Sequence, residues 1–226
     1  MRINKFLSDS GICSRRRADK LIKEGKVKIN SSRARLGDQV KEKDKVFLNG
    51  KLINNSPKKI YIAFHKPYGV ITTTSAASEN KVTDYINIPQ RVFPIGRLDV
   101  HSSGLLLLTN DGSIVNKLLK SSGRKEKEYN VTVNKPLTEK AIKKLAEGII
   151  ILGQKTRPAT VKKINSRQFS ITIIEGKNRQ IRRMCEKTGY NIKILKRIRF
   201  GNIRLGSLAR GKWRHLTKQE IKSLCE

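Results

Sequence analysis

One carboxylate stands apart in this sequence. Asp99 lies in the polar segment Pro94-Ile95-Gly96-Arg97-Leu98-Asp99-Val100-His101-Ser102-Ser103-Gly104, directly before four consecutive leucines at 105–108. Such an apolar run reads as a strand buried on both faces, and a polar loop held by a stiff strand is where catalytic groups collect. Residue type alone leaves the loop open, because an Arg–Asp pair is more often structural. Tyr129 follows Lys125-Glu126-Lys127-Glu128, and a tyrosine at a strand start packs in the core more often than it does chemistry. Arg182 sits in Arg179-Gln180-Ile181-Arg182-Arg183-Met184-Cys185. On a helix at ~100° per residue, Ile181, Met184 and Cys185 share the core face while Arg179 and Arg183 point away. Arg182 falls at the edge, where a half-buried guanidinium needs a carboxylate partner.

Several enzyme classes are absent by motif. There is no Walker loop and no G-x-G-x-x-G after a strand, which argues against an NTPase or a dinucleotide enzyme. The H-x-E and P-C-x-x-C set of the zinc deaminases is missing. His65, His101 and His215 are scattered and offer no metal triad. Any chemistry at Asp99 is therefore expected to need no metal and no cofactor.

The charge balance names the partner class. Among 226 residues, 50 Lys and Arg face 18 Asp and Glu, a formal net charge of +32. That self-repulsion is tolerable when the working partner is a polyanion, so nucleic acid leads. Residues 1–56 carry 15 basic and 6 acidic residues, net +9, and residues 57–226 carry 35 and 12, net +23. Arg15, Arg16 and Arg17 follow Ser14 at a helix start, where guanidinium groups beside free backbone N–H donors suit phosphate. A solvated helix face is the bland alternative. Ten basic residues against one acidic between 177 and 204 make the outer face around Arg179 and Arg183 a phosphate track. No apolar run approaches the ~20 residues of a membrane span, no apolar segment marks a signal peptide, and Cys13, Cys185 and Cys225 form no C-x-x-C. A cytoplasmic monomer without membrane contact is expected.

The elements that must position these groups are legible in outline. Residues 2–8 and a helix from Ser14 to about Glu24 precede strands at Val27/Ile29 and Val46/Leu48, a small unit ending near residue 56. The polar stretch 54–59 reads as a linker. Beyond it, Ile60, Ile62 and Phe64 alternate up to the turn Lys66-Pro67-Tyr68-Gly69, and residues 127–133 form a strand. A helix spans 138–147, Phe169, Ile171 and Ile173 alternate, and a helix runs from Arg179 to Thr188. Strands continue at Ile192/Ile194 and Ile203/Leu205, and Thr217-Lys218-Gln219-Glu220 has the spacing of a capping box. The fold class is α+β: a small helix-rich N-terminal domain at 1–56, then a mainly antiparallel mixed sheet with flanking helices at 57–226.

Gly96-Arg97-Leu98-Asp99 with Ser102, Gly104, Leu105-Leu106-Leu107 and Thr109-Asn110 resembles the signature of the RsuA/RluF-type pseudouridine synthases. Lys127-Glu128-Tyr129, Asn178-Arg179-Gln180-Ile181-Arg182-Arg183-Met184 and Gly211-Lys212-Trp213-Arg214-His215-Leu216-Thr217 follow in that family's order. Ser14-Arg15-Arg16 looks like part of the small RNA-binding domain named after ribosomal protein S-four. Residues 126–136, 148–153 and 182–190 look most like the member type that modifies large-subunit ribosomal RNA. The resemblance implies isomerisation of uridine to pseudouridine in rRNA, with no cofactor. It implies Asp99 as the essential carboxylate, Arg182 as its ion-pair partner and Tyr129 stacked on the flipped uracil, with Arg97 filling the gap left in the RNA. Whether the aspartate attacks or stabilises an ion pair stays open. A noncatalytic RNA-binding or ribosome-assembly protein of the same fold is the alternative, and a DNA-binding regulator the third reading.

Overall fold

The computed structural model describes residues 1–53, 57–119 and 125–225. The stretch expected as a linker lies partly outside them, at 54–56. The chain divides into two compact units, one of Met1–Ile60, Ile88–Val92 and Asn110–Gly112, the other of Tyr61–Asn87, Phe93–Thr109 and Ser113–Glu226.

The first unit holds α1 (Ile3–Asp9), α2 (Arg15–Lys23), β1 (Val27–Ile29), β2 (Ser32–Arg33), β3 (Val46–Leu48) and β4 (Lys51–Leu52). Its strands pair antiparallel in the order β2-β1-β3-β4. The Ser14 hydroxyl accepts the backbone N–H of Arg17 at 3.2 Å and so satisfies an orphan donor of α2. Helical spacing then turns Ala18, Leu21 and Ile22 inward onto a core shared with Ile3, Phe6, Leu7, Val27 and Val46. Arg15, Arg16 and Arg17 stand exposed on the first turn.

The rest of the chain runs through β5 (Tyr61–Lys66), β6 (Phe93–Ile95), β7 (Ser103–Thr109), α3 (Gly112–Leu119), β8 (Lys127–Val133), α4 (Glu139–Glu147), β9 (Ile150–Ile151), β10 (Gln154–Lys155), β11 (Thr160–Asn165), β12 (Gln168–Ile173), α5 (Gln180–Lys187), β13 (Ile192–Phe200), β14 (Ile203–Arg204), β15 (Trp213–His215) and α6 (Lys218–Cys225). A nine-stranded sheet runs β11-β12-β8-β13-β7-β5-β15, with β14 on β13 and β6 on β7. Within it β13 and β7 pair in parallel and the other pairs are antiparallel. Thr217 and Glu220 form the expected capping box, each backbone N–H donating to the other's side-chain oxygen at 2.8 and 3.2 Å. Among the described residues no helix is long and apolar enough to cross a membrane.

Two strands depart from their sequence pattern. Alternation at Ile60, Ile62 and Phe64 suggests one buried face, yet every residue of β5 from Tyr61 to Lys66 is buried. A strand covered on both faces has no solvent side for its polar residues, and Lys66 is drawn inside. In β13 the ladder with β8 slips twice, between Ile192 and Ile194 and between Arg197 and Arg199. Each bulge resets which side chains share a face. The first leaves Ile194 at 55% exposure and buries Leu195, against the reading of Ile192 and Ile194 as one apolar face. The second falls just after Arg197, which stands opposite Tyr129, and sets Arg199 opposite Glu128 and Phe200 opposite Lys127.

Candidate active site

Asp99 lies in the segment that joins β6 to β7, and the carbonyls of that segment from Leu98 to Ser102 are all hydrogen-bonded. The Thr72 hydroxyl donates to Leu98 O at 2.7 Å, and Ser102 N–H donates to Asp99 O at 3.0 Å. Gly69 N–H donates to Val100 O at 2.9 Å, and the Arg182 guanidinium donates to His101 O. The Lys66 ammonium closes the set, donating to Ser102 O at 2.7 Å, to Val100 O at 3.4 Å and to Pro67 O at 2.9 Å. Four of these five consecutive carbonyls are tied to the 66–72 stretch or to α5, which leaves the loop little freedom. The carboxylate is thereby preorganised before any substrate arrives.

The Asp99 carboxylate faces a cavity of about 230 Å³ whose walls include Tyr129, Lys127, Ile173, Arg182, Arg197 and Phe200. The space suits one nucleotide. Sheet register builds it: Tyr129 on β8 lies between Ile171 on β12 and Arg197 on β13, and Lys127 lies between Ile173 and Phe200. Tyr129 is 8% exposed and packed in the wall of the cavity. Arg182 comes from α5, half-buried at the helix edge as its angular position predicts. Its Nε stands 3.9 Å from Asp99 Oδ2 without a direct hydrogen bond. Burial, reinforced by Arg179, pushes the Arg182 guanidinium pKa down, and Asp99 pulls it back up.

Arg97 and Arg179 are exposed and line both this cavity and an adjoining hollow with Asn178 and His101. The placement of Arg179 corrects the helical-wheel expectation. It is the N-cap of α5, at φ +49° in the left-handed region, so the 100° periodicity does not apply to it and its side chain reaches the cavity mouth. Arg183 lies outside the cavity, donating from Nε to Asn178 O at 3.1 Å and thereby bracing that turn. Arg15, Arg16 and Arg17 belong to the other unit.

Sequence reasoning missed two buried cations and one glycine. Lys66 looked like part of a turn and Arg197 like a surface residue of a basic stretch; both are within 2% of full burial. Gly104 lies in ladder register with both of them, on β5 and β13 respectively. Cys185 is inert, since burial pushes its thiol up to about 12.

Burial lowers the Lys66 pKa from 10.5 to about 8, with Asp99 opposing the fall and Arg210 adding to it. An amine whose folded pKa lies below its unfolded value binds fewer protons when folded, so stability rises with pH between the two values. The stability of the wild type relative to Lys66→Met is therefore expected to climb as pH rises from about 8 towards 10.5. Thermal melts of both proteins across that range check it, and a flat difference would show that Lys66 titrates normally.

A family model for RNA pseudouridylate synthase matches residues 60–187, and one for the S4 domain matches residues 1–46. The dual-specificity RNA pseudouridine synthase RluF of Escherichia coli K12 is 47% identical, over 99% of this chain and 78% of that protein. The ribosomal large subunit pseudouridine synthase B of Bacillus subtilis is 42% identical, over 99% of this chain and 95% of that protein. A crystal structure of a pseudouridylate synthase superimposes with a TM-score of 0.73 at 30% identity, covering 99% of both chains. The loop of Asp99, the α5 arginine and the Tyr129 wall all fall inside the first match, and the chain belongs to the RNA pseudouridylate synthase family, with an S4 domain in front.

Proposed function

We propose that this chain converts one uridine of large-subunit ribosomal RNA into pseudouridine, with Asp99, Tyr129 and Arg182 as its catalytic residues. The observation that carries the assignment of roles is the approach of Arg182 to Asp99 at the wall of a one-nucleotide cavity. The large-subunit target is supported by the name of the Bacillus subtilis relative. Residues 1–56 serve as the RNA-docking domain and residues 57–226 as the catalytic one. The enzyme acts in the cytoplasm as a monomer and uses neither metal nor cofactor.

The chemistry asks little beyond what these side chains supply. The uridine leaves its stack at a cost of a few kcal/mol and its base packs on Tyr129, while Arg97 fills the place it vacated. The bond from N1 to C1′ breaks with its electron pair remaining on the base. The Asp99 carboxylate meets the positive charge at C1′, and Arg182 orients that carboxylate from a site partly closed to water. The base turns, C5 bonds to C1′, and the C5 proton passes to an acceptor such as the Tyr129 hydroxyl while N1 ends protonated. One carboxylate suffices, whereas a glycoside hydrolase uses two flanking its bond and a water.

Mapping pseudouridine at single-nucleotide resolution, in rRNA from cells with and without the gene, tests the assignment. One large-subunit position is expected to lose its modification, and restoring the wild-type gene should restore it. Binding of rRNA with no lost position would establish a noncatalytic assembly protein instead. Exposed Arg15, Arg16 and Arg17 are assigned to phosphates. Replacing all three with Ala should therefore flatten the slope of log affinity against log salt by about 2–3. Titrations at several salt concentrations measure that slope, and an unchanged one removes the arginines from the interface.

A further inference from the structure

Among the described residues Arg197 is the one arginine that is fully buried. It is 2% exposed, its Nε donates to Leu105 O at 2.7 Å, and one terminal nitrogen, Nη2, is buried with no partner. Among the described residues no carboxylate forms an ion pair with it. Arg199, two residues on, shows what a structural arginine looks like here: it pairs with Glu126 and Glu128, both at 2.8 Å. A buried guanidinium donor left unpaired is costly, and the residue that carries it lines the same cavity as Asp99. Lys127 lines the same wall, and burial together with Arg197 pushes its amine pKa down. Asp99 and Arg182 offset each other and Glu175 partly offsets Lys127, which leaves Arg197 as a buried wall cation with no ion-pair partner among the described residues.

The reaction produces a matching charge. When N1 leaves C1′ with the bonding pair, the detached uracil is an anion whose charge spreads to its two carbonyl oxygens. We propose that Arg197 is a further catalytic residue: its unpaired guanidinium nitrogen binds a carbonyl oxygen of the detached uracil and stabilises the base as a leaving group. Arg197 gives up no proton. The charge is discharged when C5 bonds to C1′, after which the C5 proton is lost and N1 gains one, so no net proton is consumed. The register that β13 holds between its two bulges sets Arg197 opposite Tyr129. Donors aimed at charge that develops only in the transition state act on kcat, not on ground-state affinity. This inference rests on the isomerase assignment and adds the group that answers the leaving base.

The test compares two RNA hairpins carrying the mapped target, one with uridine and one with 5-fluorouridine at that position. Fluorine stabilises the uracil anion, so the fluorinated base needs less help to leave. Single-turnover formation of the C5-glycoside is read by chromatography of nuclease digests for wild type, Arg197→Met and Arg197→Lys. Arg197→Met is expected to lose roughly 10²-fold on uridine and distinctly less on 5-fluorouridine, with unchanged RNA affinity. Arg197→Lys, which keeps the charge, should recover part of the rate, and it carries the comparison if the Met variant does not fold. Equal losses on both hairpins, or no loss on either, would overturn the role of Arg197. A wild-type enzyme that converts neither hairpin would overturn the isomerase assignment itself, a result separate from these.

Discussion

Asp99→Asn is expected to lower pseudouridine formation by at least roughly 10³-fold, about 4 kcal/mol of barrier, with RNA affinity nearly unchanged. The substitution keeps the shape of the side chain, and the loop beneath it is held by backbone carbonyls that do not involve the carboxylate. What disappears is the negative charge that meets C1′, whether by attack or by ion pairing. Arg182 is then left with its buried Nε facing a neutral amide. A loss confined to turnover is the mark of an interaction made in the transition state. Single-turnover assays beside filter binding measure both quantities. A variant that retained a rate within an order of magnitude would remove Asp99 from the chemistry.

Gly104→Ala is expected to have the largest effect on stability, about 4 kcal/mol or more. At φ +105° the backbone of Gly104 is in a region that L side chains rarely adopt, and a Cβ there would sit 2.2 Å from the carbonyl oxygen and 2.7 Å from the amide nitrogen of Arg197. Those are backbone atoms of a neighbouring strand in a nine-stranded sheet, so neither partner can step aside. The close approach is also what brings β13 near enough for the Arg197 guanidinium to reach Leu105 O. Denaturant unfolding of the purified variant reads the loss. A midpoint close to that of the wild type would show that the two strands separate more easily than their register implies.

Much of the candidate site could be read directly. The loop of Asp99 before an apolar strand, the edge position of Arg182 on α5 and the strand of Tyr129 follow from local pattern, because helix and strand periods decide which way a side chain leaves its own element. Residues 127–133, 138–147 and 217–220 fold as their patterns say, with Thr138 accepting the Ala141 N–H and Thr217 paired with Glu220. Lys66 and Arg197 were illegible for a different reason. Their burial depends on which strands flank them, and a lysine before a proline or an arginine in a basic run carries no local mark of that. Parity in β13 was misleading too, since two bulges reset the face and no residue type announces them.

The sequence by itself determined the class of partner and the elements that carry Asp99, Tyr129 and Arg182. Composition, periodicity and motif spacing are local quantities, and they suffice for that. Only the tertiary structure decided that the carbonyls from Leu98 to Ser102 are all fastened, that Arg182 approaches Asp99 from another element, and that Arg197 lines the same cavity with one buried nitrogen unpaired. Apart from the hydrogen bond of Ser102 N–H to Asp99 O, these join residues from 26 to 92 positions apart in the chain. Strand order and register set such contacts, and they follow from how the whole sheet buries its faces.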